Sequence, residues 1–257
     1  MAAAPQVIHT VAEWRAFRAA HRAAGRTVGF VPTMGALHEG HASLFRAARR
    51  ENDVVFATVF VNPMQFDEQQ DFDKYPRTLD ADVALMAEAG VDVVLAPSVA
   101  EMYPNGTDYT VQEATFSREL CGAHRPGHFT GMLTVVMKLL QIADADRAYF
   151  GEKDYQQLQL IRGMVQAFFL PTQIVPCPIV READGLAMSS RNARLSPAER
   201  SLAPLFNQVL RNARTPEVAR AELEAAGFAV DYVEDRGDRR FGAVRLGATR
   251  LIDNVAR

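Results

Sequence analysis

The chain is poor in cysteine, in clustered charge and in long apolar runs, and each shortage removes a class of function. Its two cysteines, Cys121 and Cys177, are too few for a disulfide framework. Neither lies in a Cys-x-x-Cys pair or a recognisable catalytic setting, so both read as reduced, structural thiols. The formal net charge is -3 and the basic residues are dispersed, which leaves no electrostatic footprint for nucleic acid. The longest apolar stretch, Met132 to Ile142, is interrupted by Lys138 and falls far short of the roughly 20 residues a membrane span needs. It reads as a buried helix. Met1 to Gln6 has neither a basic segment nor an apolar core, so no secretory signal is expected. Repeats and low-complexity segments are also missing. These absences point to a cytoplasmic protein whose partners are small molecules.

What is present is ample material for a core: 257 residues, 48% of them hydrophobic, enough for one large domain or a medium one with a small companion. Strand-like runs at 28–31, 54–61, 91–96, 148–150 and 174–175 alternate with helical patterns at 39–50, 78–89 and 155–167. That alternation predicts a parallel, helix-covered sheet, and continuous runs such as Val54 to Val61 suit strands buried on both faces. Near Asp184-Gly185 the character changes. Ser196-Pro197-Ala198-Glu199 combines a capping box with proline at the first helical position, and Leu202, Leu205, Phe206, Val209 and Leu210 follow the helical period. Segments 228–233 and 243–252 read as short antiparallel strands around Gly247. The expected organisation is an α/β, Rossmann-like domain over residues 1–184 and a small α+β domain over 185–257.

Ligands of such sheets bind beyond the carboxyl ends of the strands, which directs attention to the polar residues there. The richest segment is Val28 to His41. A short strand is expected to break at Pro32 and to deliver Met34-Gly35-Ala36-Leu37-His38-Glu39-Gly40-His41 at the start of a helix. His38 and His41 share its first turn, where free N–H groups and the positive dipole end attract anions. Gly40 lets a base or phosphate approach the backbone. A zinc reading is weak, because the helical metalloprotease pattern spaces its histidines four apart and no third ligand is evident; ordinary packing remains the alternative.

Other strand exits carry Asn62-Pro63-Met64-Gln65, two amides able to orient a hydroxyl or carboxylate, and Gly151-Glu152-Lys153-Asp154, with Lys153 placed as a phosphate cation. Met188-Ser189-Ser190-Arg191 offers two hydroxyls and a guanidinium suited to phosphate oxygens. In His124-Arg125-Pro126-Gly127-His128 the histidines are four apart, but Pro126 and Gly127 argue against a helical metal pair. The segment reads as a loop able to contact an anionic substrate. The bland alternatives are capped loops, a solvated helix start and a polar linker.

Taken together, Pro32 to His41, Phe60 to Phe66, Arg125 to Phe129, Phe150 to Gln157 and Met188 to Asn192 resemble the pantothenate synthetase, or pantoate-beta-alanine ligase, family in order and spacing across about residues 20–200. The resemblance implies a nucleotidyltransferase-type Rossmann-like domain, a small carboxy-terminal lid and a homodimer. It also implies a two-step reaction. Pantoate attacks the α-phosphate of ATP bound with Mg2+, giving pantoyl adenylate and pyrophosphate, and beta-alanine then displaces AMP to give pantothenate.

Under that resemblance Met34, Gly35, Ala36, Leu37, His38, Glu39, Gly40 and His41 line the ATP site, with His41 the family's proton donor and His38 its phosphate-binding companion. Gly151, Glu152, Lys153, Asp154, Val180, Met188, Ser189, Ser190 and Arg191 also contact ATP. Lys153, Ser189, Ser190 and Arg191 face the phosphates. Gln65 holds pantoate and later beta-alanine, and Asn62, His128 and Gln157 complete the pantoate pocket. Two departures stand out. Asp80-Ala81-Asp82 carries fewer acids than some relatives show near magnesium, leaving the metal's protein ligands open, and the carboxy-terminal domain looks short. A nucleotidyltransferase that stops at the adenylate, and a silent nucleotide-binding module, are the rival readings.

Overall fold

The apolar runs become a parallel sheet with a core on each face. The computed structural model describes residues 4–67 and 72–257; of the amino-terminal stretch discussed above, residues 1–3 lie outside the described residues. Strands β1 (Gln6–Ile8), β2 (Val28–Thr33), β3 (Val54–Val59), β4 (Val93–Leu95), β5 (Arg147–Gly151) and β6 (Gln173–Cys177) lie in the order β1-β4-β3-β2-β5-β6. All neighbouring pairs are parallel. Alternation along each strand sends Phe30, Phe56 and Leu95 to one cluster and Val31, Val55, Ala57 and Val94 to the other, as a period of two requires.

Helices cover both faces. On one, α1 (Val11–Ala23), α4 (His128–Ala143) and α5 (Tyr155–Ala167) contribute Trp14, Met132, Leu133, Leu158 and Ile161; on the other, α2 (Glu39–Glu51) and α3 (Leu79–Ala89) contribute Leu44, Phe45 and Met86. Trp14 is fully buried, stacks on Phe56 at 3.6 Å and donates its indole N–H to the Ile142 carbonyl at 2.8 Å. The strand order reverses direction between β2 and β5, so their carboxyl ends open the crevice where α/β sheets take ligands.

Beyond the sheet, α6 (Pro204–Asn212) and α7 (Pro216–Ala225) pack on an antiparallel sheet of β7 (Ala229–Arg236), β8 (Arg239–Leu246) and β9 (Thr249–Ala256). This small sheet has two apolar allegiances. Val233, Val244 and Leu251 join the α6–α7 cluster, while Tyr232, Phe241 and Ala243 pack into the main core.

Three local expectations are corrected. β2 does not stop at Pro32 but runs to Thr33, with Pro32 opposite Thr58. On the other side β5 pairs only with Gly29 and Phe30, so by Pro32 no ladder bond is lost for want of its N–H. The helix expected after Ser196 is two, Pro197–Leu202 and α6, because Pro204 restarts the chain as a first-turn residue. Finally, His128 is not in a loop: it opens α4 directly after Gly127, whose φ of 83° provides the turn.

The fold positions the site through one close approach. α4 lies against the turn Pro63–Gln65, and a Cβ at Gly131 would stand 2.0 Å from the Met64 carbonyl oxygen and 2.8 Å from the Gln65 nitrogen. Gly131→Ala is expected to cost about 1–3 kcal/mol through overpacking, whereas Gly163→Ala, with nothing within 4 Å, should gain up to about 1 kcal/mol from helix propensity. Equilibrium urea unfolding of both variants checks this; equal stability of Gly131→Ala and the parent would contradict the packing.

Candidate active site

After Thr33 the chain reverses through two consecutive left-handed residues, Gly35 (φ 80°) and Ala36 (φ 51°). For alanine that conformation costs on the order of 1–2 kcal/mol, and a buried carboxylate offsets it. Asp82 of α3, 2% exposed, accepts from the backbone N–H of Ala36 at 3.1 Å and of Leu37 at 2.8 Å, and from the Thr78 hydroxyl at 3.2 Å. The sequence left the metal's protein ligands open, and in this acidic segment both Asp82 oxygens accept hydrogen bonds from the turn and from Thr78.

The turn delivers His38 as the amino-terminal cap of α2. Its Nδ1 accepts from the Gly40 N–H at 3.1 Å, and His41 Nδ1 reaches back to accept from the His38 N–H at 3.3 Å. Backbone amides can only donate, so both Nδ1 atoms are unprotonated and each neutral ring carries its hydrogen on Nε2. A Cβ at Gly40 would lie 2.8 Å from His38 Cε1, so the glycine makes room for the ring. Burial first, then His38 and Lys153, hold His41 down to about 3. Burial and Lys153 lower His38 as well. Two imidazolium charges at the 4.2 Å ring separation would repel by about 4 kcal/mol at an effective dielectric near 20. The pair is therefore neutral at pH 7.

Across the crevice, β5 ends in the tight turn Glu152–Asp154. Asn254 of β9, 2% exposed, donates to the carbonyls of Glu152 at 2.9 Å and Lys153 at 3.0 Å. The carboxy-terminal sheet thus fixes the backbone that carries Lys153. Lys153 Nζ lies 3.7 Å from Asp154. Burial alone would raise the Asp154 carboxyl, but Lys153 and Arg191 outweigh it and hold the group below its usual range. Burial and neighbouring Arg125 lower Arg191 from its ordinary value. Ser189 caps the turn Ser190–Arg194 by accepting from the Arg191 N–H at 3.3 Å, and Ser190 hydrogen-bonds the Tyr75 hydroxyl.

On the β3 side, Asn62 is buried and spends its amide on Gln65 Oε1 (3.1 Å) and the Gly131 carbonyl (3.2 Å), while its oxygen accepts from Tyr103 at 2.7 Å. It positions Gln65 rather than lining the cavity. His128 Nδ1 donates to the Gln65 carbonyl at 2.8 Å and its Nε2 accepts from Arg125 at 3.1 Å. Both nitrogens are committed, and burial with Arg125 depresses the ring to about 4.

These groups enclose a cavity of about 270 Å3. Of the residues anticipated from sequence, Met34, His38, Gly40, His41, Gln65, His128, Gly151, Lys153, Asp154, Gln157, Val180, Met188, Ser189, Ser190 and Arg191 line it. Gly35, Ala36 and Leu37 do not; they shape the turn behind it. Glu39 is exposed and ion-paired with Arg46, and Glu152 offers its backbone to Asn254. Sequence reasoning missed Asp82 as turn anchor, Asn254 as clamp, Tyr75 in the wall, and the apolar floor of Met132, Val136 and Leu139 from α4, while Arg125 lines the wall in the segment read as able to contact an anionic substrate. The one available signal was the all-round apolarity of 132–142, which also suits a helix that floors a cavity. Among the described residues no group of three or more His, Cys, Asp or Glu could hold a metal ion, and no helix is long and apolar enough to cross a membrane.

A doubly covered parallel sheet, with a cationic and histidine-capped cavity at its switch point, defines an α/β nucleotide-binding enzyme. The pantoate-beta-alanine ligase family model matches residues 6–256. The chain is 52% identical to the pantothenate synthetase of Bdellovibrio bacteriovorus, covering 97% of this chain and 98% of that one, and 49% identical to that of Legionella pneumophila over the same shares. Among solved structures it is similar to the pantothenate synthetase of Thermus thermophilus (43% identity, 98% and 99% covered, TM-score 0.90). It is also similar to the Francisella tularensis pantoate-beta-alanine ligase complexed with beta-gamma ATP and beta-alanine (39%, 98% and 98%, TM-score 0.93). The chain belongs to the pantoate-beta-alanine ligase family.

The buried neutral histidines set a pH dependence. Their folded values lie below the ordinary 6.5, so the unfolded chain takes up protons first; stability is full above about pH 6.5 and is lost as pH falls from there toward about 4 and 3 for His128 and His41. Urea unfolding at about pH 7.5 and 5 should show this loss, and His41→Gln/His128→Gln should flatten it. The same slope in parent and variant would contradict the assignment.

Proposed function

We propose that the cavity joins pantoate to beta-alanine at the expense of ATP through a pantoyl adenylate. The observation that carries the reading is the convergence, at the β2/β5 switch point, of a neutral histidine pair and helix start on one side with Lys153 and Arg191 on the other. In the first step a pantoate carboxylate oxygen bonds to the α-phosphorus, the bond to the bridging oxygen breaks, and pyrophosphate leaves with the electron pair. An anion attacks an anion, so cations fixed beforehand supply the largest benefit. Lys153, Arg191 and the Ser189 and Ser190 hydroxyls hold the triphosphate, and Gln65 and Gln157 orient pantoate. In the second step the beta-alanine amine, steered by Gln65, adds to the acyl carbon, the acyl carbon–oxygen bond to AMP breaks with AMP taking the electron pair, and the nitrogen releases its proton to solvent.

The histidines act as neutral donors. With each Nδ1 committed to the cap, only Nε2–H is left to point at phosphoryl oxygens, which fits charge stabilisation better than proton delivery from an imidazolium. Asp154, the carboxylate in the cavity wall, fits the small protein share of an Mg2+ site in which ATP phosphates supply most ligands. Bound there, the ion would offset triphosphate charge. Residues 185–257 serve as a lid over the water-sensitive adenylate, with modest motion because Tyr232 and Phe241 are packed in the main core. The enzyme works as a cytoplasmic homodimer.

Pantoate-dependent exchange of labelled pyrophosphate into ATP, without any amine, tests the reading. Lys153→Ala should lower the exchange rate about 100-fold or more. His41→Gln, which keeps an N–H near the Nε2 position, should retain more activity than His41→Phe. Exchange without pantoate would rule out the adenylate route, and AMP release independent of beta-alanine would favour an enzyme that stops at the adenylate.

A further inference from the structure

A second cavity, of about 310 Å3, lies between the carboxy-terminal sheet and the amino-terminal domain. It shares a wall with the first, since Arg125, His128, Lys153, Asp154, Gln157 and Arg191 line both. The phosphate-facing side chains are therefore a partition rather than a dead end. Counting that shared wall, the new cavity is strongly basic for a chain of net charge -3, with seven Lys and Arg against three Asp in its lining.

One of those acids is neutralised from outside the cavity and the other two by cations of its own wall, Asp154 standing 3.7 Å from Lys153, which still leaves the lining in cationic excess. Asp253 is held by Arg181 through two bonds of 2.7 and 2.9 Å, and Asp67 pairs with Arg125 at 2.7 Å. The cations are graded in depth. Lys153, Arg125 and Arg250 have side chains only 14–18% exposed, while Lys74, Arg194 and Arg245 are exposed at the rim. Arg245 and Arg250 share one carboxylate, Asp231, at 3.6 and 2.7 Å, so that trio keeps a net positive charge. A basic cleft with low-dielectric walls concentrates small anions.

We propose that this cavity is the receiving and exit site for inorganic pyrophosphate, an inference that rests on the adenylate reading above. When the α-phosphorus is attacked from the pantoate side, the β- and γ-phosphates face the shared wall, and the leaving group departs away from the nucleophile. Pyrophosphate then passes Lys153 and Arg191 into a space where deep cations hold it and rim cations lead it to solvent. The first cavity is left clear for the amine, and the return reaction is suppressed as the product moves away from the adenylate.

The test compares the full-length parent with Arg194→Gln, Arg245→Gln and the double variant, all at exposed rim positions. Pantoate-dependent pyrophosphate exchange gives the KM for pyrophosphate and for ATP, the complete reaction gives the KM for beta-alanine, and titration calorimetry with pyrophosphate and orthophosphate gives direct affinities. The double variant should raise the KM for pyrophosphate about tenfold while the KM for ATP changes less than about twofold and that for beta-alanine stays at the parent value. An unchanged pyrophosphate KM, or a parallel rise for ATP, would overturn the proposal. A rise for beta-alanine alone would assign the cavity to that amino acid's carboxylate instead. Should a substitution in β8 disturb folding, Lys74→Gln, on a separate segment, carries the same expectation. Absence of exchange in the parent would count against the adenylate reading, while normal exchange in parent and variants with unaltered pyrophosphate KM would count against the exit site alone.

Discussion

The reciprocal cap between His38 and His41 decides where α2 begins, which nitrogen of each ring is free, and what charge the rings carry. It depends on a chain of local constraints. The cap forms only if the chain arrives at His38 from the left-handed turn at Gly35 and Ala36, and that turn persists because Asp82 accepts its two exposed amide hydrogens. Asp82 in turn is set by α3, which packs on the second face of the sheet through Met86. A carboxylate remote from the chemistry thereby fixes two imidazoles, and the dipole end of α2 adds a further preference for anions at the same spot.

The charges are divided between the walls of the crevice. Lys153 and Arg191 supply fixed positive charge, and the histidines, kept neutral by burial and by the nearby Lys153, supply directed N–H groups. A third full charge so close would cost more in repulsion than it returned, whereas a neutral donor strengthens as negative charge grows on the phosphoryl oxygens. The two domains meet in this arrangement. Asn254 of β9 clamps the backbone of Lys153, and Tyr232 and Phe241 anchor β7 and β8 in the main core, so the carboxy-terminal sheet positions the cation.

Much of this was legible in the sequence, for physical reasons that also explain the gaps. Buried parallel strands announce themselves as continuous apolar runs, and glycine or proline at their exits marks the loops that carry ligands, so the sheet and most cavity-lining residues could be named. Elements β1, α1 and α7 gave weaker patterns and were not anticipated. Asp82 and Asn254 were invisible as anchors because their partners are backbone groups 45 and 102 residues away, and a backbone partner leaves no trace in residue identity. Asn62 was placed in the pocket by the family resemblance, yet its bonds to Gln65, Gly131 and Tyr103 turn it inward. Pro32 illustrates a local rule overridden by context, since the pairing of β2 with β5 stops at Phe30, before the missing N–H of Pro32 would matter.

The central claim is that capping commits both Nδ1 atoms and leaves His38 and His41 as neutral Nε2–H donors. Histidine-selective nitrogen NMR of the free protein at neutral pH tests it most directly. The account predicts that both rings show a protonated Nε2 and an unprotonated Nδ1, with no conversion to imidazolium for His41 until the pH is close to 3. A protonated Nδ1 on either ring, or an imidazolium signal from His41 at neutral pH, would contradict it.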